Sequence, residues 1–400
     1  MRGTEEAQAG TVDPRALLRW VRGQRDPLIA FLRALVEAES PSDVPATQAS
    51  VQQLLRDALE DVGFRVTHRP GRVTGGFLLA EPRSRRRGRA VQLLVGHTDT
   101  VWPLGTLKEM PLREEAGRLH GPGVFDMKAG VTLMVFALRA LRELDAELPA
   151  TPLLLLNSDE EIGSPESGRS IRRLARLACR AFVPEPAFGP QGLLKTARKG
   201  VGTYTVHIQG RPAHAGLDPG GGASAIHELA CIVRTLHALT DLERGTTVNV
   251  GVVEGGTRSN VVAARARAEV DVRVVTSAEA ERMEAALLAL RPETPGVTLR
   301  VEVGHAIPPM ERTSRNRRLW EQARSAAEAL GLPLGETMVG GASDGSVTSG
   351  YTATLDGLGA VGDGAHAVHE HIVVDATVDR CALLAMLLAA PVYPTHGVRI

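Results

Sequence analysis

Cysteine is scarce: Cys179, Cys231 and Cys381 are the only three in 400 residues. Their wide separation argues against a disulfide framework and a thiolate metal site, and it fits a reducing compartment. Net charge is missing too, because 46 Lys plus Arg balance 46 Asp plus Glu. That balance argues against broad electrostatic attraction to nucleic acid. No apolar run reaches the length of a membrane span. The opening MRGTEEAQAGTVDPRA lacks the apolar core of a secretory signal. A soluble cytoplasmic protein is therefore expected. The G-x-S-x-G spacing occurs at 341–345, in GGASDG, which is too nonspecific by itself to support a serine hydrolase. The Gly-rich GPGVFDMKAG does not carry dinucleotide-binding spacing.

The composition itself is globular, with 43% apolar and 23% charged residues. The first 25 residues read as a helical lead-in or a loose arm, and 26–63 as two helices broken by Pro41 and Pro45. GGFLLAEP and AVQLLVGHTD read as strands. Between them PRSRRRGR carries Arg83, Arg85, Arg86, Arg87 and Arg89. It is short and has no interleaved aromatics, so an exposed turn is the preferred reading over a nucleic-acid patch. Helix VTLMVFALRALREL, strand TPLLLLNSD and helix ESGRSIRRLARLA then alternate. That alternation predicts an α/β sheet covered on both faces. Near Lys199 the order becomes β-α-β-β-α-β, which suits a compact two-layer insert. A helix at 314–331 and a strand-helix pattern ending near Ala390 return to the first style. The expected division is 1–197, 198–307 and 308–400, the middle segment inserted into the domain formed by the other two.

Chemistry concentrates where strands end. His97 and Asp99 follow LLV, and alternation sets both on one side of the strand end. Asp99 would hold one imidazole nitrogen while the other faces a metal. Asp126 lies between a Gly-rich turn and a helix, where it could cap backbone N–H groups or bridge two cations. Asp159, Glu160 and Glu161 follow the apolar LLLL strand. Adjacent carboxylates repel, so a desolvated triplet needs cations or protons. Successive side chains diverge, which would let Glu160 hold water while Glu161 binds metal. Glu185 supplies a further acid after FVP, and VGDGAHAVHEHI supplies His366, His369 and His371. His366 is the candidate ligand, although its two neighbours leave the local histidine count ambiguous. Glu370 would orient that loop or accept a bond behind the ligands. Two histidines, three carboxylates and one spare glutamate suffice for a paired-metal hydrolase. Zinc is the first choice, with manganese or cobalt as alternatives.

In order along the chain, GHTDTV, GPGVFDMKAG, NSDEEIGS, PEP, GRPAHAG, GGTRSNVV, DVRV, GGASDG and GDGAHAVHE closely resemble the motifs of the M20 metallopeptidases, especially glutamate-carboxypeptidase-like members. The resemblance covers nearly the whole chain. It implies a metal-binding α/β catalytic domain with an inserted α+β lid that often mediates dimerisation. Carried over, it implies that His97 and Glu185 bind one divalent ion, Glu161 and His366 a second, and Asp126 bridges them. Glu160 would be general base and proton shuttle, and Asp99 would orient His97. His214 would stabilise the transition state from a partner's lid. Asn260, Arg258, Arg273 and Ser343 would contact the substrate or shape its pocket. The implied reaction is amide hydrolysis of a small peptide or N-acyl amino acid by a homodimer, as a carboxypeptidase releasing a residue such as glutamate. The rivals are an N-acyl-amino-acid deacetylase and a non-enzymatic metal-stabilised binding protein. Related chains often carry a basic residue before the Pro-Pro pair and Asp in the last loop. Here Ile307 and His369 stand in those places, which weakens the inference of glutamate preference.

Overall fold

A computed structural model describes residues 12–86 and 88–393. Arg87 and the first 11 residues of the expected N-terminal lead-in lie outside the described residues; within the described part Pro14–Gly23 is a helix capped by the Asp13 side chain. The chain divides into two compact units. One comprises Met1–Thr196, Arg312–Met338 and Ser343–Ile400, and the other Ala197–Glu311 with Val339–Ala342.

The first unit is built on an eight-stranded sheet. Its centre is formed by β1 (Val91–His97), β2 (Thr151–Asn157), β3 (Ala178–Val183) and β4 (Ala353–Asp356). They lie in the order β2-β1-β3-β4 and run parallel to one another. Antiparallel strands Phe77–Pro82 and then Phe64–Arg69 extend the sheet beyond β2, and Leu194–Arg198 and then Glu336–Val339 extend it beyond β4. Every residue of β1 and β2 is buried. That is why both strands read as unbroken apolar runs: helices cover the sheet on both faces and leave no polar side. Helices Ala129–Glu143 and Val374–Ala389 join one core layer with Leu94 and Leu154, and Ile171 and Ala175 of Gly168–Leu177 join the other with Leu93 and Leu155. His97 is paired in register with Asn157, so β1 and β2 end at the same level. In an open parallel sheet the carboxyl ends of the strands form the natural ligand crevice.

The second unit has the expected β-α-β-β-α-β order: Gly200–Gln209, helix Ala225–His237, Thr247–Gly255, Arg265–Val274, helix Ser277–Leu288 and Thr298–Ile307. The four strands form one antiparallel sheet. Tyr204, Val206 and Ile208 alternate inward and pack with Leu229, Ile232, Met283 and Leu287 of the two helices. This is a two-layer α+β unit inserted into an α/β unit. The short return at Val339–Ala342 joins the second unit through backbone, the Lys199 N–H donating to the Val339 carbonyl. No sequence pattern marks that return, because its hydrogen bonds are main-chain and long-range. Among the described residues no helix is long and apolar enough to cross a membrane.

Candidate metal centre

His97 ends β1 with only 1% of its surface exposed. Its Nδ1 lies 2.9 Å from the Asp99 carbonyl oxygen, and a carbonyl can only accept. The Nδ1–H therefore donates, which leaves the Nε2 lone pair as the outward-facing atom. That lone pair faces Asp126 Oδ1 at 3.3 Å and Glu185 Oε1 at 3.5 Å. Across Asp126 the arrangement repeats. His366 Nε2 lies 3.5 Å from Asp126 Oδ2 and 3.1 Å from Glu161 Oε2. Asp126 thus offers one oxygen to each histidine. His97 with Glu160 and Glu185, and His97 with Asp126 and Glu161, each place their potential ligand atoms within 4.8 Å of one another.

Separate elements deliver these side chains to one place. Glu160 and Glu161 open the short turn Glu160–Ile162 after β2, and Glu185 follows Pro184 after β3. Gly130, at the start of helix Ala129–Glu143, permits that approach: a Cβ there would lie 1.8 Å from the Pro184 carbonyl oxygen. Asp126 has extended backbone (φ −113°, ψ 103°), and no side chain caps the helix that follows. Its carboxylate is therefore turned to the histidines rather than used as a helix cap. His366 holds a left-handed backbone (φ 61°) in the last loop, half exposed.

The carboxylate of Asp99 lies beside His97 and also reaches the acidic turn. Its Oδ1 lies 3.5 Å from His97 Nδ1, farther than the Asp99 main-chain carbonyl. Oδ1 also accepts from the Glu160 N–H at 3.3 Å and Oδ2 from the Glu161 N–H at 3.2 Å. Ser42 Oγ donates to Oδ2 at 2.6 Å. Asp99 holds the acidic turn in place, and its peptide carbonyl sets the histidine tautomer. Asp159 points away from the cluster. It accepts from Ser167 Oγ at 2.5 Å and from the backbone N–H of Glu166 and Ser167, at the start of helix Gly168–Leu177. Lys128 is buried and donates to the Ala38 carbonyl.

Burial and close charges set the electrostatics of the cluster. Burial raises the Glu160 carboxyl well above its ordinary value, and the Glu185 charge adds to the effect. Burial raises Glu161 as well, against the pull of His366. Burial would also raise Asp126, but hydrogen bonds to His366 and His97 outweigh it and hold the carboxyl low. The same bonds act in reverse on the imidazoles. Asp126 and Glu161 push His366 up to about 10, and for His97 the carboxylates of Asp126, Asp99 and Glu185 overcome burial. Among the side chains alone, positive charge is demanded at two points, one on each side of Asp126. Glu161 Oε1 is buried with no hydrogen-bond partner among the described residues. A donor set of imidazole nitrogens and carboxylate oxygens, with a buried oxygen left over, fits a pair of divalent cations.

Ser343 and its neighbour Asp344 lie beside the cluster, and the remaining expected site residues belong to the second unit. Ser343 is buried, caps helix Asp344–Ser349 and donates to Asp356 Oδ2 at 2.6 Å. Asp344 accepts from Ser164 Oγ at 2.6 Å and Asn157 Nδ2 at 2.8 Å, and burial pushes its carboxyl up to about 7. In the second unit His214, Arg258 and Asn260 share one loop cluster. His214 bridges Val261, the Ala215 N–H donates to the Asn260 carbonyl, and the Val261 N–H donates to that of Arg258. His214 Nδ1 accepts from the N–H groups of Gly216 and Leu217, so Nε2 carries the proton. Arg273 gives its fork to Asp271 at 2.8 and 2.9 Å. Sequence reasoning missed Ser42, which sits in an unremarkable SPSD stretch, and Asn157, whose only signal is its place at the head of NSDEEIGS.

The model of peptidase family M20/M25/M40 matches residues 93–390. Carboxypeptidase G2 of Pseudomonas sp. (strain RS-16) is 28% identical over 375 residues, covering 91% of this chain and 89% of that protein. Acetylornithine deacetylase of Myxococcus xanthus is 29% identical over 376 residues, covering 91% of each chain. Among solved structures, aminopeptidase PepT from Bacillus cereus ATCC 10987 aligns with a TM-score of 0.75 at 23% identity, over 91% of this chain and 98% of its own. At that identity the likeness concerns the fold.

Replacing Ser42 with Ala removes the hydroxyl that fixes Asp99 without touching a ligand. Denaturant unfolding should show a loss of about 1–3 kcal/mol, the cost of leaving a buried carboxylate short of a donor. An unchanged midpoint would show that the Ser42–Asp99 bond does not hold the acidic turn.

Proposed function

The chain belongs to peptidase family M20/M25/M40 and is a metal-dependent hydrolase, and from that premise we propose that it cleaves the amide bond of a small peptide or N-acyl amino acid. The observation that carries the reading is Asp126 with one oxygen toward His97 and the other toward His366. In this reading His97 and Glu185 would hold one cation, Glu161 and His366 would hold the other, and Asp126 would serve both. When bound, such a pair would supply Lewis-acid polarisation of the scissile carbonyl and acidification of the attacking water. Zinc suits the nitrogen and oxygen donors, and manganese or cobalt would also fit.

Glu160 is the proton carrier. It is not required as a ligand, its main-chain N–H is held by Asp99, and burial beside Glu185 raises its carboxyl above the ordinary value. It would take the proton of the attacking water and return it to the departing amine nitrogen. His214 presents a protonated Nε2, the tautomer needed to donate to an oxyanion. We assign it that role in a homodimer formed through the second unit. For a terminal carboxylate, Arg258 is better available than Arg273, whose fork Asp271 already occupies. Asn260 shares the Arg258 turn and would orient the same end of the substrate. Ser343 would shape the pocket wall indirectly, by fixing the start of helix Asp344–Ser349.

Release of a C-terminal amino acid, glutamate among the candidates, is supported by similarity to carboxypeptidase G2. Similarity of equal extent to acetylornithine deacetylase supports a second reading, removal of an N-acyl group from an amino acid. A metal-reconstituted panel of glutamyl, aspartyl and neutral peptides and N-acetyl amino acids separates the two. The carboxypeptidase reading expects kcat/KM for the best peptide to exceed that for every N-acetyl amino acid by at least about tenfold. The reverse order establishes the deacetylase, and no hydrolysis across the panel defeats both. Glu160→Ala should retain two bound ions by elemental analysis while kcat falls by about 10²–10⁴-fold. Unchanged turnover at full metal loading would remove Glu160 from its role.

A further inference from the structure

The last loop carries a buried acid that binds no metal in this reading. Glu370, 1% exposed, meets four donors. Its Oε1 accepts from the N–H groups of Phe125 at 2.9 Å and Asp126 at 3.1 Å. Its Oε2 accepts from the Gly123 N–H at 2.9 Å and from Trp102 Nε1 at 2.7 Å. The four donors come from two loops, and the carboxylate itself belongs to a third. Trp102 lies on the segment that follows His97, Gly123–Asp126 presents Asp126, and Glu370 closes the loop that begins with His366. We propose that Glu370 is a positioning residue that locks the His97, Asp126 and His366 loops into one arrangement through a single carboxylate.

A carboxylate, an acceptor on both oxygens, is the group this geometry requires. Its two oxygens offer about four lone-pair sites, and four N–H groups fill them. The three backbone donors belong to a turn that makes no regular helix, so without Glu370 they would be buried and unsatisfied. The main chain reinforces the link, since the Gly121 N–H donates to the Glu370 carbonyl and His371 pairs with His120. Neither close relative of the side chain can substitute. In Gln one oxygen becomes an NH₂ group, which would confront two N–H donors whichever way the amide is turned. Asp falls one methylene short of the turn. Ligand-supporting residues of this kind typically control metal affinity by about 10–100-fold.

The inference rests on the metal-dependent reading, so its test measures metal uptake directly. The chelator-stripped full-length protein is titrated calorimetrically with Zn²⁺, alongside Glu370→Gln and Trp102→Phe. Wild type should take up two ions, and Glu370→Gln should bind at least one of them about 10–100-fold more weakly. With metal restored, kcat should fall while KM changes by less than about threefold, because Glu370 does not meet the substrate. A merely structural acid would lower the melting temperature of the metal-free protein and leave the zinc isotherm unchanged; that result overturns the proposal. If Glu370→Gln does not fold, Trp102→Phe decides. It deletes one of the four donors, and a loss of about two- to tenfold in zinc affinity is expected, whereas an unaltered isotherm overturns the proposal. A wild-type protein that binds no zinc, manganese or cobalt would defeat the metal-dependent reading itself, a different failure from an unaltered isotherm in the variants.

Discussion

Like charges held close together out of water dominate this structure. Asp126, Glu160, Glu161 and Glu185 are brought together by a sheet whose central strands end side by side. Desolvated carboxylates at this spacing repel, and the fold is stable only if protons or cations stand between them. The two histidines show where those charges belong. Each turns Nε2 toward a different oxygen of Asp126, and each is drawn toward its charged form by the acids around it. Two cations on either side of one aspartate would satisfy both demands at once, and in the proposed mechanism would leave Glu160 available to move protons.

Much of the protein serves to hold that arrangement rather than to react. Parallel strands buried on both faces bring β1, β2 and β3 to a common edge. The backbone carbonyl of Asp99 fixes the tautomer of His97, and its carboxylate grips the Glu160–Glu161 turn. Ser42 fixes Asp99 from behind, and Gly130 lets the Glu185 segment lie against a helix. Glu370 gathers the remaining loops. A site built this way holds its candidate ligands in place, which would limit the reorganisation needed to bind metal.

The strand-helix order, the inserted β-α-β-β-α-β unit and the ligand candidates were legible in the sequence. Apolar runs mark strands covered on both faces, and acids or histidines set just beyond such runs stand out. The partners of those acids were not legible. Ser42 and Asp99 are 57 residues apart, and Glu370 reaches donors 244 to 268 residues away. Three of the four donors to Glu370 are backbone N–H groups, which no side-chain pattern encodes. Asp159 reads in sequence like its neighbours Glu160 and Glu161, yet local backbone direction turns it to the start of a helix. Arg273 read as a substrate clamp, and only the paired geometry with Asp271 shows its fork already engaged.

The central claim is that two cations flank Asp126. Crystals grown with zinc and measured across its absorption edge test this most directly. The account predicts two anomalous peaks, one beside His97 and Glu185 and one beside His366 and Glu161, with Asp126 between them. A single peak, or peaks away from Asp126, would contradict it.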